Sequence, residues 1–213
     1  MKALLFDLDG TLIESIPLWI EANLHALRER NFIMDEEAFL KHIYHQGLHY
    51  SGMLEACGLN TDRADQFYYD RNTYYQALLR QNIEWIGNAE SALQQCTNTV
   101  HIGIMTGSAR SFVDAIDSKL HLSEICQTIV TYDDTGLRMK PDPYGLLLLA
   151  ETLGIDPADC IYVGDQDVDM KAAKAARMTS CLIPNRSTPE GAREEADIVL
   201  QDIGEIVSLV GSL

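Results

Sequence analysis

The feature that most constrains the fold is an alternation of short apolar runs with helix-like segments, which extends from about residue 100 to the end of the chain. Runs such as "VHIGIM" at 100–105 and "DCIYVG" at 159–164 are too short for helices and end on small or polar residues. Each is followed by a segment in which apolar residues recur at helical spacing. This alternation predicts an α/β fold, a parallel sheet wrapped by helices.

A further apolar run stands apart at the start of the chain, where "ALLF" at 3–6 leads directly into "DLDGT". Between this run and residue 84 the sequence is helix-like and lacks a convincing period-two strand. We expect one helix from about Pro17 to Asn31, since proline suits a first turn, and several more from Asp35 to about Gln81. The economical interpretation is an α/β core, residues 1–14 and 84–213, interrupted by an all-helical insert at 15–83.

Composition and charge disfavour several classes of partner. Of the 213 residues 46% are hydrophobic, and 32 acidic against 16 basic residues give a formal charge of −16. Because so acidic a surface repels phosphate backbones and anionic lipids, we expect neither nucleic acid nor a membrane as partner. The five cysteines are widely spaced without a CxxC pair, and no leader-like segment precedes the first predicted strand, which favours the reducing cytoplasm. The sequence does not specify an oligomeric state.

Polar residues follow several of the predicted strands. The set comprises two acids after "ALLF", small polar residues after "HIGIM", three acids after "IYVG", and a lysine before a helix-starting proline, namely Asp7, Asp9, Thr106, Gly107, Ser108, Asp165, Asp167, Asp169 and Lys140. Ligands of open α/β sheets bind at the carboxyl ends of the strands, so these side chains are expected to converge. A hard cation such as Mg²⁺ takes oxygen ligands and would neutralise the crowded carboxylates. The inventory suits phosphoryl transfer, which depends mostly on positioning and charge neutralisation.

The order of the first two acids suggests their roles. A carboxylate can attack phosphorus to form an aspartyl phosphate, and Asp7, the first acid after the strand, is the candidate nucleophile. Two residues further along an extended segment, Asp9 points to the same face. It could therefore protonate the leaving oxygen and later activate water.

Three segments in order resemble the haloacid dehalogenase superfamily, specifically its phosphoglycolate phosphatase and β-phosphoglucomutase-like branch. They are "DLDGT", "IMTGS" and "KPDPYGLLLLAETLGIDPADCIYVGDQDVDMKAAKAARM". The resemblance implies a Rossmann-like, doubly wound parallel core with an inserted helical cap that determines substrate specificity. It also places Arg177 where the family often has glycine, a change expected at a helix end.

The same resemblance implies roles for individual residues. Asp7 would be the nucleophile, Asp9 the general acid and base, Thr106 a phosphate ligand, and Lys140 the charge that steadies phosphate and nucleophile. Magnesium would be held by Asp7, the backbone carbonyl of Asp9 and Asp165, with Asp169 nearby or acting through water. The expected phosphate contacts come from Leu8, Thr106, Gly107 and Lys140.

The cap contributes candidate specificity residues. In related capped phosphatases a loop around a cap glycine faces the core site, so the candidates here are Gln46, Gly47, Leu48, His49 and Tyr50. Histidines 42, 45 and 49 stand at helical spacing, but Gly47 interrupts the helix and no carboxylate or cysteine completes a zinc site. The aromatic residues between 67 and 75 are expected to form the packing surface of the cap.

The leading hypothesis is a Mg²⁺-dependent phosphatase that acts on a small phosphorylated metabolite through an aspartyl phosphate on Asp7. A phosphomutase is the main alternative, although phosphomutases of the branch carry a basic side chain in the cap loop, where His49 or Tyr50 stands here. Dehalogenases of the superfamily lack the second acid, Asp9. A receiver-like phosphorylatable switch is disfavoured by the length of the chain and its helical insert, and a non-catalytic relative by the presence of every reacting group.

Overall fold

The fold is built on a six-stranded parallel sheet. The computed structural model describes residues 1–44, 46, 48, 50–136 and 138–211. The strands are β1 (Ala3–Phe6), β2 (His101–Met105), β3 (Thr128–Val130), β4 (Cys160–Gly164), β5 (Thr179–Leu182) and β6 (Ile198–Val199). They lie in the order β3-β2-β1-β4-β5-β6, and each neighbouring pair is parallel. This is the strand order of a doubly wound fold, so the predicted fold class is confirmed.

The central position of β1 in the sheet explains why its sequence is apolar throughout. All four residues of β1 are fully buried, and Leu5 lies between Gly103 of β2 and Tyr162 of β4. A strand covered on both faces has no solvent-facing side, so it shows no polar alternation. The carboxyl end of β1 therefore opens directly from the core into the segment that carries Asp7.

The chain divides into two compact units. One comprises Met1–Glu14 with Glu84–Leu213 and contains the whole sheet, and the other is Ser15–Ile83. The division of labour between them, a catalytic core and a specificity cap, stays a prediction.

Among its described residues, the regular elements of the second unit are all helical. Its helices are α1 (Ile16–Arg28), α2 (Glu36–Phe39), α3 (Tyr50–Ala56) and α4 (Ala64–Asn82), with a π-helical turn at Leu40–Tyr44. Helix α1 is shorter than expected, because the chain reaches a left-handed conformation at Asn31. The core of the unit contains Ile20, Leu27, Phe39, Leu54 and Phe67.

The aromatic residues of α4 do not all pack inside. Phe67 and Tyr75 are buried, whereas Tyr69 is 66% exposed. Residues four or eight apart share one face of a helix, while a residue two positions away points elsewhere. The expectation that the whole aromatic group packs in the cap is therefore wrong for Tyr69, and also for Tyr68, which is 40% exposed.

The first unit contains the remaining helices, α5 (Ala89–Cys96), α6 (Arg110–Leu120), α7 (Leu122–Ile125), α8 (Tyr144–Leu153), α9 (Asp167–Ala175), α10 (Ala192–Glu195) and α11 (Glu205–Gly211). Helices α8 and α9 pack through Leu149 and Ala173 in the cluster that contains Leu5 and Tyr162. Among the described residues, no helix is both long enough and apolar enough to cross a membrane.

Candidate active site

The polar residues predicted from strand ends lie at the carboxyl edge of the sheet. Asp7 follows β1 directly, and its N–H donates to the carbonyl of Val163 at 2.8 Å, which continues the pairing of β1 with β4. Asp165 follows β4, and Asp169 lies in the first turn of α9. Parallel pairing of β1 with β4 therefore brings acids from distant parts of the chain to one place.

Three acids form a buried cluster. Asp7, Asp165 and Asp169 each offer a carboxylate oxygen within 4.8 Å of the others, and they are 6%, 1% and 0% exposed. Lys140 Nζ lies 2.5 Å from Asp7 Oδ1 and 2.5 Å from Asp169 Oδ1. Three carboxylates against this one ammonium leave an excess of negative charge, which a buried site must compensate.

The pKa values of the buried acids and of Lys140 reflect this excess of negative charge. Burial raises the pKa of Asp7 well above its ordinary value, Asp169 and Asp165 reinforce the rise, and Lys140 opposes it. Burial also raises the pKa of Asp165. Burial by itself lowers the pKa of Lys140, but the charges of Asp169 and Asp7 outweigh it and hold the pKa well above the ordinary value. The donor set is all oxygen and anionic, which fits a hard divalent cation such as Mg²⁺.

Asp9 is held separately from this cluster. Its Oδ2 accepts hydrogen bonds from Thr106 Oγ1 at 3.0 Å and Ser108 Oγ at 2.8 Å. The N–H of Ser108 donates to Thr106 Oγ1 at 3.0 Å, which fixes the loop after β2. Gly10, the next residue after Asp9, has a φ of 81°, a conformation that favours glycine. The loops after β1 and β2 thus orient the Asp9 carboxylate together.

A model of the haloacid dehalogenase-like hydrolase family matches residues 4–183. The chain belongs to this family. The match covers β1, the helical unit and β2 to β5, so it spans both units and every acid of the cluster. The expected resemblance is confirmed.

Two similar proteins are named as phosphatases, and a solved structure shares the fold. A phosphoglycolate phosphatase from Xanthomonas campestris pv. campestris is 29% identical over 180 residues, covering 84% of this chain and 81% of the relative. An N-acetylmuramic acid 6-phosphate phosphatase from Pseudomonas aeruginosa is 27% identical over 220 residues, covering 99% and 95%. The crystal structure of CbbY from Rhodobacter sphaeroides in complex with phosphate matches with a TM-score of 0.81 at 18% identity, covering 97% and 96%. At that identity the structural match establishes the fold alone.

In this haloacid dehalogenase-like chain, Asp165 is supported by donors that sequence reasoning missed. Thr11 Oγ1 donates to Oδ1 at 3.0 Å, and Gln166 Nε2 and Asn185 Nδ2 donate to Oδ2 at 2.5 and 2.8 Å. Asn185 Nδ2 is also 2.9 Å from the carbonyl of Gly10, and Thr188 Oγ1 donates to the carbonyl of Asp165 at 2.7 Å. The loops after β1, β4 and β5 are therefore tied together at this acid.

Tyr162 positions Lys140. Lys140 Nζ donates to Tyr162 Oη at 3.1 Å, and Tyr162 Oη donates to the carbonyl of Met105 at 3.1 Å. Tyr162 is fully buried in β4, so its hydroxyl is fixed. The sequence marks it as a strand residue, and no spacing signal distinguishes it from its apolar neighbours.

Gly164 makes room for Asp169. A Cβ at this position would lie 2.5 Å from Cβ, Cγ and Oδ2 of Asp169. Only a residue without a side chain permits so close an approach, and Asp169 Oδ2 then accepts a hydrogen bond from the N–H of Gln166 at 2.9 Å.

The remaining predicted residues are placed as follows. The Leu8 side chain is fully buried, so any phosphate contact from Leu8 would come from its backbone. Asp167 pairs with Lys171 at 2.6 Å and stands outside the acid cluster. Tyr50 begins α3, where its ring lies 4.9 Å from that of Tyr68. Gly47 and His49 lie outside the described residues, as does His45.

Proposed function

We propose that this chain is a Mg²⁺-dependent phosphatase that releases phosphate from a small phosphorylated metabolite through an aspartyl phosphate on Asp7. The observation that carries the proposal is the contact of buried Asp7 with Lys140 inside a cluster of three acids. Membership of a hydrolase family and similarity to proteins named as phosphatases support it.

In the first half-reaction a carboxylate oxygen of Asp7 attacks phosphorus. A new O–P bond forms on Asp7 as the bond between phosphorus and the leaving oxygen breaks, and Asp9 donates a proton to that oxygen. The two hydroxyl donors on Asp9 Oδ2 orient this carboxyl group. The leaving oxygen departs as a hydroxyl group of the dephosphorylated product.

In the second half-reaction water replaces Asp7 on phosphorus. Asp9, now ionised, accepts a proton from the water, whose oxygen attacks phosphorus while the bond to Asp7 breaks. Inorganic phosphate leaves, and Asp7 is regenerated as a carboxylate. Lys140 provides positive charge beside Asp7 in both half-reactions.

Asp7, Asp165 and Asp169 are the side chains that would hold Mg²⁺, together with the backbone carbonyl of Asp9. When bound, the ion supplies positive charge that stabilises the oxygens of the transferring phosphoryl group. Lys140 offsets part of the negative charge of the acids, and the hydrogen-bond donors to Asp165 keep its carboxylate oriented.

For the substrate we propose a class of compounds rather than one compound. The two named relatives act, by name, on phosphoglycolate and on N-acetylmuramic acid 6-phosphate, and both names denote phosphoesters of organic acids. We expect the helical unit to select the substrate, with Gly47, His49 and Tyr50 as candidate specificity residues. The five cysteines are unpaired and buried, which supports a reducing compartment such as the cytoplasm.

The test is phosphate release from a panel of phosphorylated acids, sugars and nucleotides, with Mg²⁺ or with EDTA. Asp7→Asn removes the nucleophile at nearly constant size, and we expect activity to fall at least about 10³-fold. Asp167→Asn is the matched control, because this acid lies two residues from Asp165 but pairs with Lys171; its activity should stay within about twofold of wild type.

Two outcomes would contradict the proposal. One is an absence of Mg²⁺-dependent phosphate release from every compound, and the other is full activity in Asp7→Asn. Product analysis with a hexose phosphate adds a further check, since a phosphomutase would return the phosphoryl group to the sugar rather than release it.

A further inference from the structure

The helical unit contains an arginine that is buried among aromatic rings. Arg71 lies on α4 and is 8% exposed. Within residues 1–44, 46, 48, 50–136 and 138–211, the buried Nε of Arg71 has no hydrogen-bond acceptor and no acidic side chain forms an ion pair with the guanidinium. An arginine is almost always charged, and a buried charge normally requires a hydrogen-bonding partner.

Aromatic rings surround this guanidinium. Its central carbon lies 5.8 Å from the centroid of the Trp19 ring and 5.3 Å from that of Tyr68. Trp19 packs edge-on against Phe39 and Tyr44, with centroids 5.8 and 5.7 Å apart. Rings stabilise a guanidinium through its faces, and they leave the N–H donors in its plane unused. The side chain is thus held in place by ring contacts, while its Nε–H has no acceptor among the described residues.

Arg30 in the same unit provides the comparison. It also lies over an aromatic ring, 4.8 Å from the centroid of Phe67. Unlike Arg71, it pairs with Asp70 at 3.1 Å and donates to the carbonyl of Ala26 at 3.2 Å. Packing on an aromatic ring is therefore compatible with a full set of polar partners, and it does not explain why Arg71 Nε has no acceptor among the described residues.

We propose that Arg71 is the anion-binding group of a ligand site in the helical unit, walled by Trp19 and Tyr68, that takes a small organic anion through a carboxylate or phosphate group. Both groups accept two parallel hydrogen bonds from the guanidinium fork. Burial lowers the pKa of Arg71, and Tyr68 and Tyr75 oppose this, so an incoming anion would further stabilise the charged form. The anion could be the acidic substituent of the substrate, which rests on the proposed function, or a separate effector.

Trp19 provides a direct measure of binding. The chain has two tryptophans, so Trp85→Phe leaves Trp19 as the single reporter. In that background, without Mg²⁺, we would titrate malonate and inorganic phosphate at constant ionic strength, with neutral malonamide as the blank. We expect a saturable change in Trp19 fluorescence with at least one of the two anions and none with malonamide.

Substitutions of the two arginines test the assignment. Arg71→Met should weaken binding ten-fold or more, about 1.4 kcal/mol. Arg71→Lys should recover part of the affinity, because lysine keeps the charge and loses the fork. Arg30→Met is the matched control and should bind as tightly as the background protein. Thermal unfolding of each variant establishes that it is folded, and a purely structural Arg71 would change the melting temperature without changing the affinity.

Kinetics then distinguish the two sources of the anion. If the anion is part of the substrate, Arg71→Met should lower the ratio of kcat/KM for 2-phosphoglycolate to that for ethyl phosphate by ten-fold or more. If the anion is an effector, that ratio stays constant while anion binding is still lost.

The inference is overturned if neither anion changes Trp19 fluorescence, or if Arg71→Met binds as well as the background protein. The fluorescence titration needs no turnover. Failure of the proposed phosphatase activity would therefore be seen separately from failure of this site.

Discussion

Besides a local bond from the N–H of Ser187 to Asn185 Oδ1 at 2.7 Å, replacing Asn185 by alanine removes two hydrogen bonds that tie three loops of the sheet edge together. One is the bond to the carbonyl of Gly10 at 2.9 Å, and the other is the bond to the carboxylate of Asp165 at 2.8 Å. A neutral bond contributes about 1 kcal/mol and a bond to a charged group about 1.5–3 kcal/mol. Thr11 and Gln166 still donate to Asp165, so the charged bond should count near its lower limit.

With about 1 kcal/mol for each of the two neutral bonds, the free energy of unfolding should therefore fall by about 3–4 kcal/mol. For a chain of this size each kcal/mol shifts the melting temperature by about 2–4 °C, so we expect a decrease of about 6–16 °C. Because Asp165 also loses part of its orientation, the Mg²⁺ concentration for half-maximal phosphate release should rise about 10–100-fold, as for other groups that orient metal ligands.

The assay combines thermal unfolding, with and without Mg²⁺, and phosphate release as a function of Mg²⁺. Asn60→Ala is the control, since Asn60 also donates to an acid, Asp62 at 3.2 Å, but both are exposed and belong to the helical unit. It should cost about 1 kcal/mol or less and leave the Mg²⁺ dependence unchanged. A melting temperature within 1 °C of wild type for Asn185→Ala, or an unchanged Mg²⁺ dependence, would refute the reasoning.

Two more substitutions test the backbone around the site. Gly164→Ala would place a Cβ only 2.5 Å from Asp169 and force that side chain away. We expect thermal unfolding to show a loss of about 1–3 kcal/mol in stability, together with a large loss of Mg²⁺-dependent activity. The control Gly191→Ala should be tolerated, because a Cβ at Gly191 would have no atom within 4 Å. Arg177→Gly should raise stability by about 1 kcal/mol, because Arg177 has a φ of 60°. Asn31→Gly, at a φ of 58°, should raise stability less, since asparagine adopts this conformation more readily. Equal melting temperatures for Arg177→Gly and wild type would contradict this account.

Several features of the sheet could be predicted because they depend on local sequence. The run Ala3–Phe6 is apolar throughout, as a strand buried on both faces requires. Helix α8 begins after Pro143 and ends at Gly154, which has a φ of 68°, so both ends follow local backbone rules. By contrast, the sequence gives little signal for the short helix α5, since nothing in "AESALQQC" marks its start with a side-chain cap.

The candidate site was predictable in part for the same reason. Strand ends of a parallel sheet meet at one edge, so the convergence of Asp7, Thr106 and Asp165 follows from the alternation of strands and helices. Asn185 and Tyr162 could not be found in this way. Their importance depends on the direction of one side chain within a packed core, and residue spacing contains no record of that direction.

By itself, the sequence predicted the alternation of strands and helices in the α/β core and named candidate residues for the chemistry, because hydrophobic periodicity and strand-end placement are local properties. The tertiary structure decided that Lys140 contacts both Asp7 and Asp169, that Asp9 is held by Thr106 and Ser108, and that Arg71 is buried against aromatic rings. These outcomes depend on distances between side chains far apart in the chain, and such distances are fixed only when the cores close around them.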